Sequence, residues 1–383
     1  MPGLRLISWG HRRATDPLLA AKETFRAKRP DIDIAVEVRP LSDFEHQGMA
    51  GVARSYDLVI FDHPFCGDIA EGGLFLPLDE HLPALLGPNA DPLYVGPSLD
   101  TYRLHGHVWG APIDAATPHA LVRRDLLQPL GEEVPRSWDE ALALGERLAP
   151  RGLKLGIGIE TPHALAVIAS LMANAGRPWH TDVAAPFHID RNAFLTAYGR
   201  LRALLAFCPP ETLGWNSIDV HEAMVARDDV AYCPIVYGYA TYGEADQRRR
   251  LGFAPFAGAS APFEAGSMIG GTAMGISSFS REKEAGLAFV AHMLEADTQD
   301  RLIPNHHGQP AFLSAWQRAD NDARFNGFYS AALSSMETAW VRPRRPGYPE
   351  FQRDAGRIVA EALRAGADGT AAADAVIALA AKL

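Results

Sequence analysis

Residues suited to holding a hydroxyl-rich small molecule stand at the ends of this chain's apolar runs. Trp9 closes the first run, and His11 and Arg12 follow it. Asp62 and His63 come directly after residues 58–61. Asp114, Thr117 and His119 follow a stretch broken by Gly110 and Pro112. Glu160 and His163 follow a run that carries Gly156 and Gly158. Tyr237 and Tyr239 come after residues 230–236, and Gly271 and Thr272 offer backbone amides in a loop. Flat aromatic rings cover the apolar faces of a sugar ring. Carboxylates, amides and basic groups take its hydroxyls in desolvated hydrogen bonds, where charge strengthens each bond. Both residue types are here, but each has a plainer reading. Trp9 serves equally well as core, and Asp62 could simply cap the next element. Trp138 and Trp316 are assigned to packing, while Trp179, Trp215 and Trp340 could rim a site.

Other chemistries find less support. Gly156-Ile157-Gly158 lacks the third glycine of a dinucleotide fingerprint, and no Gly-Lys-Ser/Thr phosphate loop occurs. No serine stands in a nucleophile-elbow pattern. His306-His307 and His105-Gly106-His107 have no carboxylate or cysteine partner at metal-site spacing. A glycoside hydrolase needs two facing carboxylates, and Asp62 with Asp114 is the pair that could be argued. No cofactor and no metal are expected.

The elements that would position these residues alternate in type. Residues 4–9 suit a first strand. Thr15 or Asp16 is expected to cap a helix with Pro17 in its first turn, with Leu18, Ala21 and Phe25 as its buried stripe. Pro30 ends it. Residues 32–38 alternate as a second strand, and residues 58–61 form a short apolar run of the kind buried in a parallel sheet. Strand, helix, strand and strand open an α/β lobe. Ser137, three residues before Glu140, marks a capping box. The helix behind it should bury Trp138, Ala141, Leu142, Gly145 and Leu148. Residues 153–159 and 230–236 read as further strands. Ser280 is expected to cap a helix carrying Ala285, Phe289, His292 and Met293, and two helices end the chain.

At 383 residues the chain exceeds one compact core, so two lobes are expected. An excess of 46 acidic over 36 basic residues leaves −10, which argues against a nucleic-acid partner because the phosphates would go unneutralised. No apolar run approaches the ~20 residues that span a bilayer. Cys66, Cys208 and Cys233 are too few and too scattered for a disulfide framework. Met1-Pro2-Gly3 leads straight into the first strand, with no basic-then-apolar leader. The expectation is a periplasmic protein whose signal was trimmed, with a cytoplasmic one as the alternative.

Several segments, in order, resemble the bacterial extracellular solute-binding proteins, the group of ABC-importer receptors that includes sugar-binding proteins such as maltose-binding protein. Gly106 with His107-Val108-Trp109-Gly110-Ala111-Pro112 is similar to the family's crossing between two lobes. Arg123-Arg124-Asp125-Leu126 and Pro135-Arg136-Ser137-Trp138-Asp139-Glu140 follow in the family's order. Upstream, Phe25, then Pro30-Asp31-Ile32, then Tyr56-Asp57-Leu58-Val59 and Gly73-Leu74-Phe75-Leu76-Pro77-Leu78-Asp79 match its first lobe. Gly308-Gln309-Pro310 resembles its second crossing.

The resemblance implies a two-lobed α/β, periplasmic-binding-protein-like fold with hinge-linked lobes and a central ligand cleft. Lobe 1 would hold residues 1–112 and 256–309. Lobe 2 would hold 113–255 and 310–383, with the C-terminal helices. The implied ligand-binding set is Trp9, His11, Arg12, Asp62, His63, Asp114, Thr117, His119, Glu160, His163, Tyr237, Tyr239, Gly271 and Thr272. The implied function is that of a non-enzymatic, monomeric receptor that closes on a sugar, polyol or sugar acid and delivers it to a membrane ABC permease. The alternatives are a carbohydrate-active enzyme using Asp62 and Asp114, and an anion or metal-ion receptor using Tyr237, Tyr239 and His11. The basic set His11, Arg12, Arg13, His63, His119, His163, His306 and His307 exceeds what a neutral oligosaccharide needs. With His11 and Arg12 at the first strand's exit it points to an acid group on the ligand, with Asp62 or Glu160 as the alternative partner. His163, in the place where relatives of longer sugars stack an aromatic, implies a monosaccharide-sized sugar or polyol.

Overall fold

A computed structural model describes residues 3–179, 185–258 and 266–383. Its strands, in chain order, are β1 (Gly3–Trp9), β2 (Asp33–Arg39), β3 (Leu58–Phe61), β4 (Arg103–Leu104), β5 (His107–Val108) and β6 (Ala111–Ala116). They continue with β7 (Pro118–Val122), β8 (Lys154–Leu155), β9 (Val230–Tyr237), β10 (Gly252–Ala254) and β11 (Gly270–Ile276). The chain divides into two compact units. Unit 1 holds Met1–Ala115, Gly270–Asn321 and Arg344–Pro349; unit 2 holds Ala116–Ile269, Asp322–Pro343 and Glu350–Leu383. Residues 256–258 and 266–269 go with unit 2, where Ala257 N–H donates to Pro234 O. Residues 310–321 go with unit 1, where Phe312 bridges to Tyr94.

Unit 1 is built on a five-stranded sheet of order β2-β1-β3-β11-β6. β1 runs parallel to β2 and β3, and β11 lies antiparallel to β3 with Ala273 opposite Phe61. The carboxyl ends of β1, β2 and β3 and the beginning of β11 therefore share one edge. All four residues of β3 are buried, as its continuous apolar run requires. Gly110 fits this packing, because a Cβ there would lie 2.6 Å from the Phe61 ring and 2.8 Å from Ala273 Cβ. The helix Arg12–Lys28 buries Leu18, Ala21 and Phe25 as expected, but it starts earlier. Its N-cap is His11, whose Nδ1 accepts from Arg13 N–H at 3.1 Å. Pro17 thus lies inside the helix rather than in its first turn.

Unit 2 has a four-stranded sheet of order β10-β7-β9-β8. β7 is antiparallel to β9 and to β10, and β8 is parallel to β9. Residues 153–159 supply only the two-residue β8. The helix Trp138–Leu148 carries the expected N-cap: Ser137 Oγ accepts from Glu140 N–H at 3.3 Å. Glu140 returns to Arg136 N–H at 2.7 Å rather than to the cap residue. Its buried face is Trp138, Ala141, Leu144, Gly145 and Leu148, so Leu144 takes the place expected of Leu142. In unit 1 the helix Lys283–Met293 begins after Glu282. Ser280 Oγ only turns the preceding loop, accepting from Glu282 N–H at 3.1 Å.

Candidate functional site

Unit 1 gathers its candidate residues along the shared sheet edge. Trp9, at the end of β1, is 3% exposed. Its ring stacks on His11 at 5.8 Å and 17°, meets Phe44 at 5.9 Å, and lies under the Arg13 guanidinium at 5.9 Å. His11 is held neutral: burial first, then Arg13 and Arg12, push its pKa down to about 3. Arg12 turns to His307, with Nη2 at 3.0 Å and 2.8 Å from the two ring nitrogens.

Past β3, Asp62 caps the short 3-10 turn His63–Phe65. It accepts from His63 N–H at 2.8 Å and faces the His63 ring nitrogen at 3.0 Å. The capping role anticipated for Asp62 is therefore present. His63 is fully buried, edge-on to Tyr102 at 6.1 Å. Tyr102 donates to the Gly271 carbonyl at 3.2 Å, where Gly271 adopts φ +103°, a conformation suited to glycine.

Asp114, on β6, is gripped by Arg13 in a two-point ion pair, Nε to Oδ1 at 2.8 Å and Nη2 to Oδ2 at 2.6 Å. Burial raises the Asp114 pKa. Arg13 opposes that rise, the nearby Asp62 charge adds to it, and a hydrogen bond from the Thr272 backbone counters it. Ser8, Arg13, Asp114, Thr272 and Gln309 line a small cavity beside this pair. Ser8 Oγ is buried there with no partner among the described residues.

Unit 2 collects a second group. Tyr237 ends β9 opposite Pro118, which begins β7. His163, the first residue of the helix His163–Asn174, lies 6.5 Å from the Tyr237 ring, and its Nδ1 is 3.1 Å from Ser217 Oγ. Pro118, Gly158, His163, Ser217 and Tyr237 border one pocket. Thr117 Oγ1 lies 2.7 Å from Ser267 Oγ. Glu160 pairs with Arg364 and is 41% exposed at its side chain. Tyr239 is buried against His221 at 5.3 Å and Tyr242 at 6.3 Å.

His119 departs from its expected role. It is fully buried within unit 2, edge-on to Phe253 and Phe328 at 5.2 Å each, with Nδ1 3.0 Å from the Ala120 carbonyl. These contacts place it in the packing of this unit. Gly238 passes so close that a Cβ would lie 2.5 Å from His119 Nε2. Trp138 and Trp316 are packing residues, at 0% and 2% exposure. Trp179 joins them at 1%, whereas Trp340 is partly exposed, with its buried Nε1 lacking a partner among the described residues. Among the described residues, no group of three or more His, Cys, Asp or Glu side chains could hold a metal ion.

Sequence reasoning missed two arginines as site-edge residues. Arg13 stands in the sequence as one of several basic residues, and its tie to Asp114 spans 101 positions. Arg39 ends β2 level with Trp9 and is 6% exposed. Its strand was expected to stop at Val38.

The model of the family described as bacterial extracellular solute-binding protein matches residues 10–300. A maltotriose-binding protein of Pyrococcus abyssi is 27% identical over 138 residues, 35% of this chain and 28% of that relative's length. The chain thus spans well under half of that relative in the match. Among solved structures, a maltose-bound MalE3 of T. maritima superposes with a TM-score of 0.83 at 17% identity, covering 99% of this chain and 98% of that one. A solute-binding protein of Thermotoga lettingae bound with α-D-tagatose gives 0.82 at 18%, covering 100% and 99%. One from Agrobacterium radiobacter in complex with ribitol gives 0.78 at 20%, covering 100% and 98%.

Proposed function

The chain belongs to the bacterial extracellular solute-binding proteins, and from that membership we propose that it is the substrate receptor of an ABC importer for a small sugar, polyol or related acid. The observation that carries this reading is the edge of unit 1. There an aromatic platform, Trp9, shares one sheet edge with the Asp62 carboxylate, the Arg13–Asp114 pair and the Thr272 amide. Open α/β sheets take their ligands at the carboxyl ends of the strands. Tyr237 and His163 supply a second polar and aromatic group in unit 2. Neighbours of this fold carry maltose, tagatose and ribitol, which supports a small sugar or polyol as the solute.

The receptor is a binder rather than a catalyst. In the enzyme reading Asp114 would be one of two working carboxylates, but both its oxygens are engaged by Arg13. The place of action is outside the cytoplasmic membrane, in the periplasm, and the working form is a monomer that docks on a membrane permease. Fractionation of the native cell and light scattering on the purified chain test these two points.

The central test is thermal denaturation across a panel of hexoses, pentitols, hexitols, maltodextrins and sugar acids. A ligand that binds only the folded state stabilises it by about 2.7 kcal/mol at a hundred times its Kd. A saturable rise in Tm with one class, and no product formed, is expected. Turnover of a panel member would overturn the reading.

A further inference from the structure

We infer that the solute this receptor takes carries a carboxylate, and that Arg39 at the end of β2 is the residue that reads it. The inference rests on the receptor reading above and narrows its ligand class.

Arg39 is the Cα register partner of Trp9, so its backbone lies at the same sheet edge as the aromatic platform. Its side chain crosses the end of β1. Nη2 reaches the Ile60 carbonyl of β3 at 3.4 Å, and Nη1 donates to Gln47 Oε1 at 2.9 Å. The guanidinium carbon sits 5.5 Å from the Phe44 ring centre, and Phe44 in turn touches Trp9. Arg39 therefore spans the ends of three parallel strands, with the ring pair Trp9 and Phe44 beside it.

A guanidinium has five N–H donors. Here two are used, one of them at a long distance. Nε is buried with no hydrogen-bond partner among the described residues, and no Asp or Glu among them forms an ion pair with Arg39. Only 6% of the residue is exposed. Burial alone lowers its pKa to about 10, against smaller opposing pulls from Asp43 and Tyr56. Several other arginines of unit 1 are answered by acids, Arg13 by Asp114, Arg5 by Glu37, Arg29 by Asp31 and Arg103 by Asp91, whereas Arg12 meets His307 and Arg344 donates to backbone carbonyls. A buried cation with no anion is costly to fold, and an arriving anion offsets that cost.

The chemistry of the corner selects a carboxylate. One guanidinium with no acid partner matches one negative charge, and the fork of N–H groups matches a planar carboxylate at two points. The next guanidinium, Arg13, already has its charge answered by Asp114. A phosphate dianion would lack its second cation. Trp9 and Phe44 cover the apolar side of a carbon skeleton. Aldonic and uronic acids combine these features. Arg12, which the sequence pointed to for this role, is turned to His307.

The test is calorimetric titration of the full chain with matched pairs: D-gluconate against D-glucitol, D-galacturonate against D-galactose, and galactose 1-phosphate as a third anion. Wild type is expected to prefer the carboxylate of a pair by at least about tenfold, with a preference that shrinks in high salt. Arg39→Lys should keep part of the preference, and Arg39→Met should remove it, the ratio between the two members of a pair being the readout. If Arg39→Met does not fold, the wild-type ratio and its salt dependence decide alone. Equal or tighter binding of the neutral member by wild type, a preference for the phosphate, or a preference unchanged in Arg39→Met each overturns the inference and leaves the receptor reading standing. If no sugar, polyol or acid binds at all, both fall together.

Discussion

Arg13 and Asp114 meet side-on in unit 1, with Nε to Oδ1 at 2.8 Å and Nη2 to Oδ2 at 2.6 Å. Arg13 belongs to the first turn of the first helix, and Asp114 to β6. The contact thus pins that helix's N-terminal turn to the sheet edge where Trp9 and Thr272 lie. Arg13 is 4% exposed and the Asp114 side chain 11%, so solvent screens little of their attraction. Each ion is tolerable in that position because of the other.

Removing one partner should therefore cost far more than removing both. Asp114→Asn and Arg13→Met are each expected to lose about 3–5 kcal/mol of unfolding free energy, because each leaves a charge or donor set buried without an answer. The double variant Arg13→Met/Asp114→Leu should lose less than the sum of the two. Urea unfolding of the four proteins gives the cycle. Additive losses would mean that the two residues do not depend on each other.

His11 makes stability depend on pH. Its folded pKa, about 3, lies below the ordinary value of 6.5, so the folded state holds its imidazole neutral. Its contribution is complete above pH 6.5 and is lost as pH falls from there towards 3. The loss from this one group approaches about 1 kcal/mol per pH unit across that window. Melting of wild type and His11→Asn between pH 7 and pH 4 isolates the effect. The variant should show the shallower decline, and parallel curves would remove His11 from the account.

His119 and Gly238 should affect folding and leave binding alone. Gly238→Ala places a methyl group 2.5 Å from His119 Nε2 and 2.9 Å from the Phe328 ring, which costs about 1–3 kcal/mol. His119→Leu is expected to lower stability by a similar amount, with ligand affinity unchanged to within about twofold. A tenfold loss of affinity at unaltered Tm would return His119 to the site.

Trp9→Leu keeps apolar volume and discards the flat ring. Ligand affinity should fall about tenfold, near 1.4 kcal/mol, the scale of an aromatic stacking contact. Intrinsic tryptophan fluorescence of wild type should change on ligand addition and change less in the variant. Unchanged affinity would make Trp9 a core residue only.

The strands were legible in the sequence where pattern and position coincide. Residues 58–61 formed a buried strand because their apolar run has no other stable place, and Ser137 capped its helix because cap chemistry is local. The first helix began at Arg12 because His11 offered its ring nitrogen to the Arg13 amide, a role usually filled by Ser, Thr, Asp or Asn. His119 stood in a polar-looking stretch, but the rings that bury it, Phe253 and Phe328, lie far along the chain. Arg39 looked like an ordinary residue before Pro40. Its lack of an acidic partner emerges only from the folded arrangement, where it meets Gln47 and the Ile60 carbonyl.

The position of β11 bears on the order in which the protein can be made. β3 is complete at Phe61, yet its antiparallel neighbour begins at Gly270, and unit 1 also draws on Arg344–Pro349. Unit 2 likewise waits for Glu350–Leu383. On a ribosome, neither unit can close its core until the last tenth of the chain emerges. A nascent chain stopped before residue 270 would carry one flank of β3 without its strand, an edge open to pairing with other chains. Such a topology favours late, concerted folding over unit-by-unit folding, because contacts between distant residues must form before either unit gains its stability.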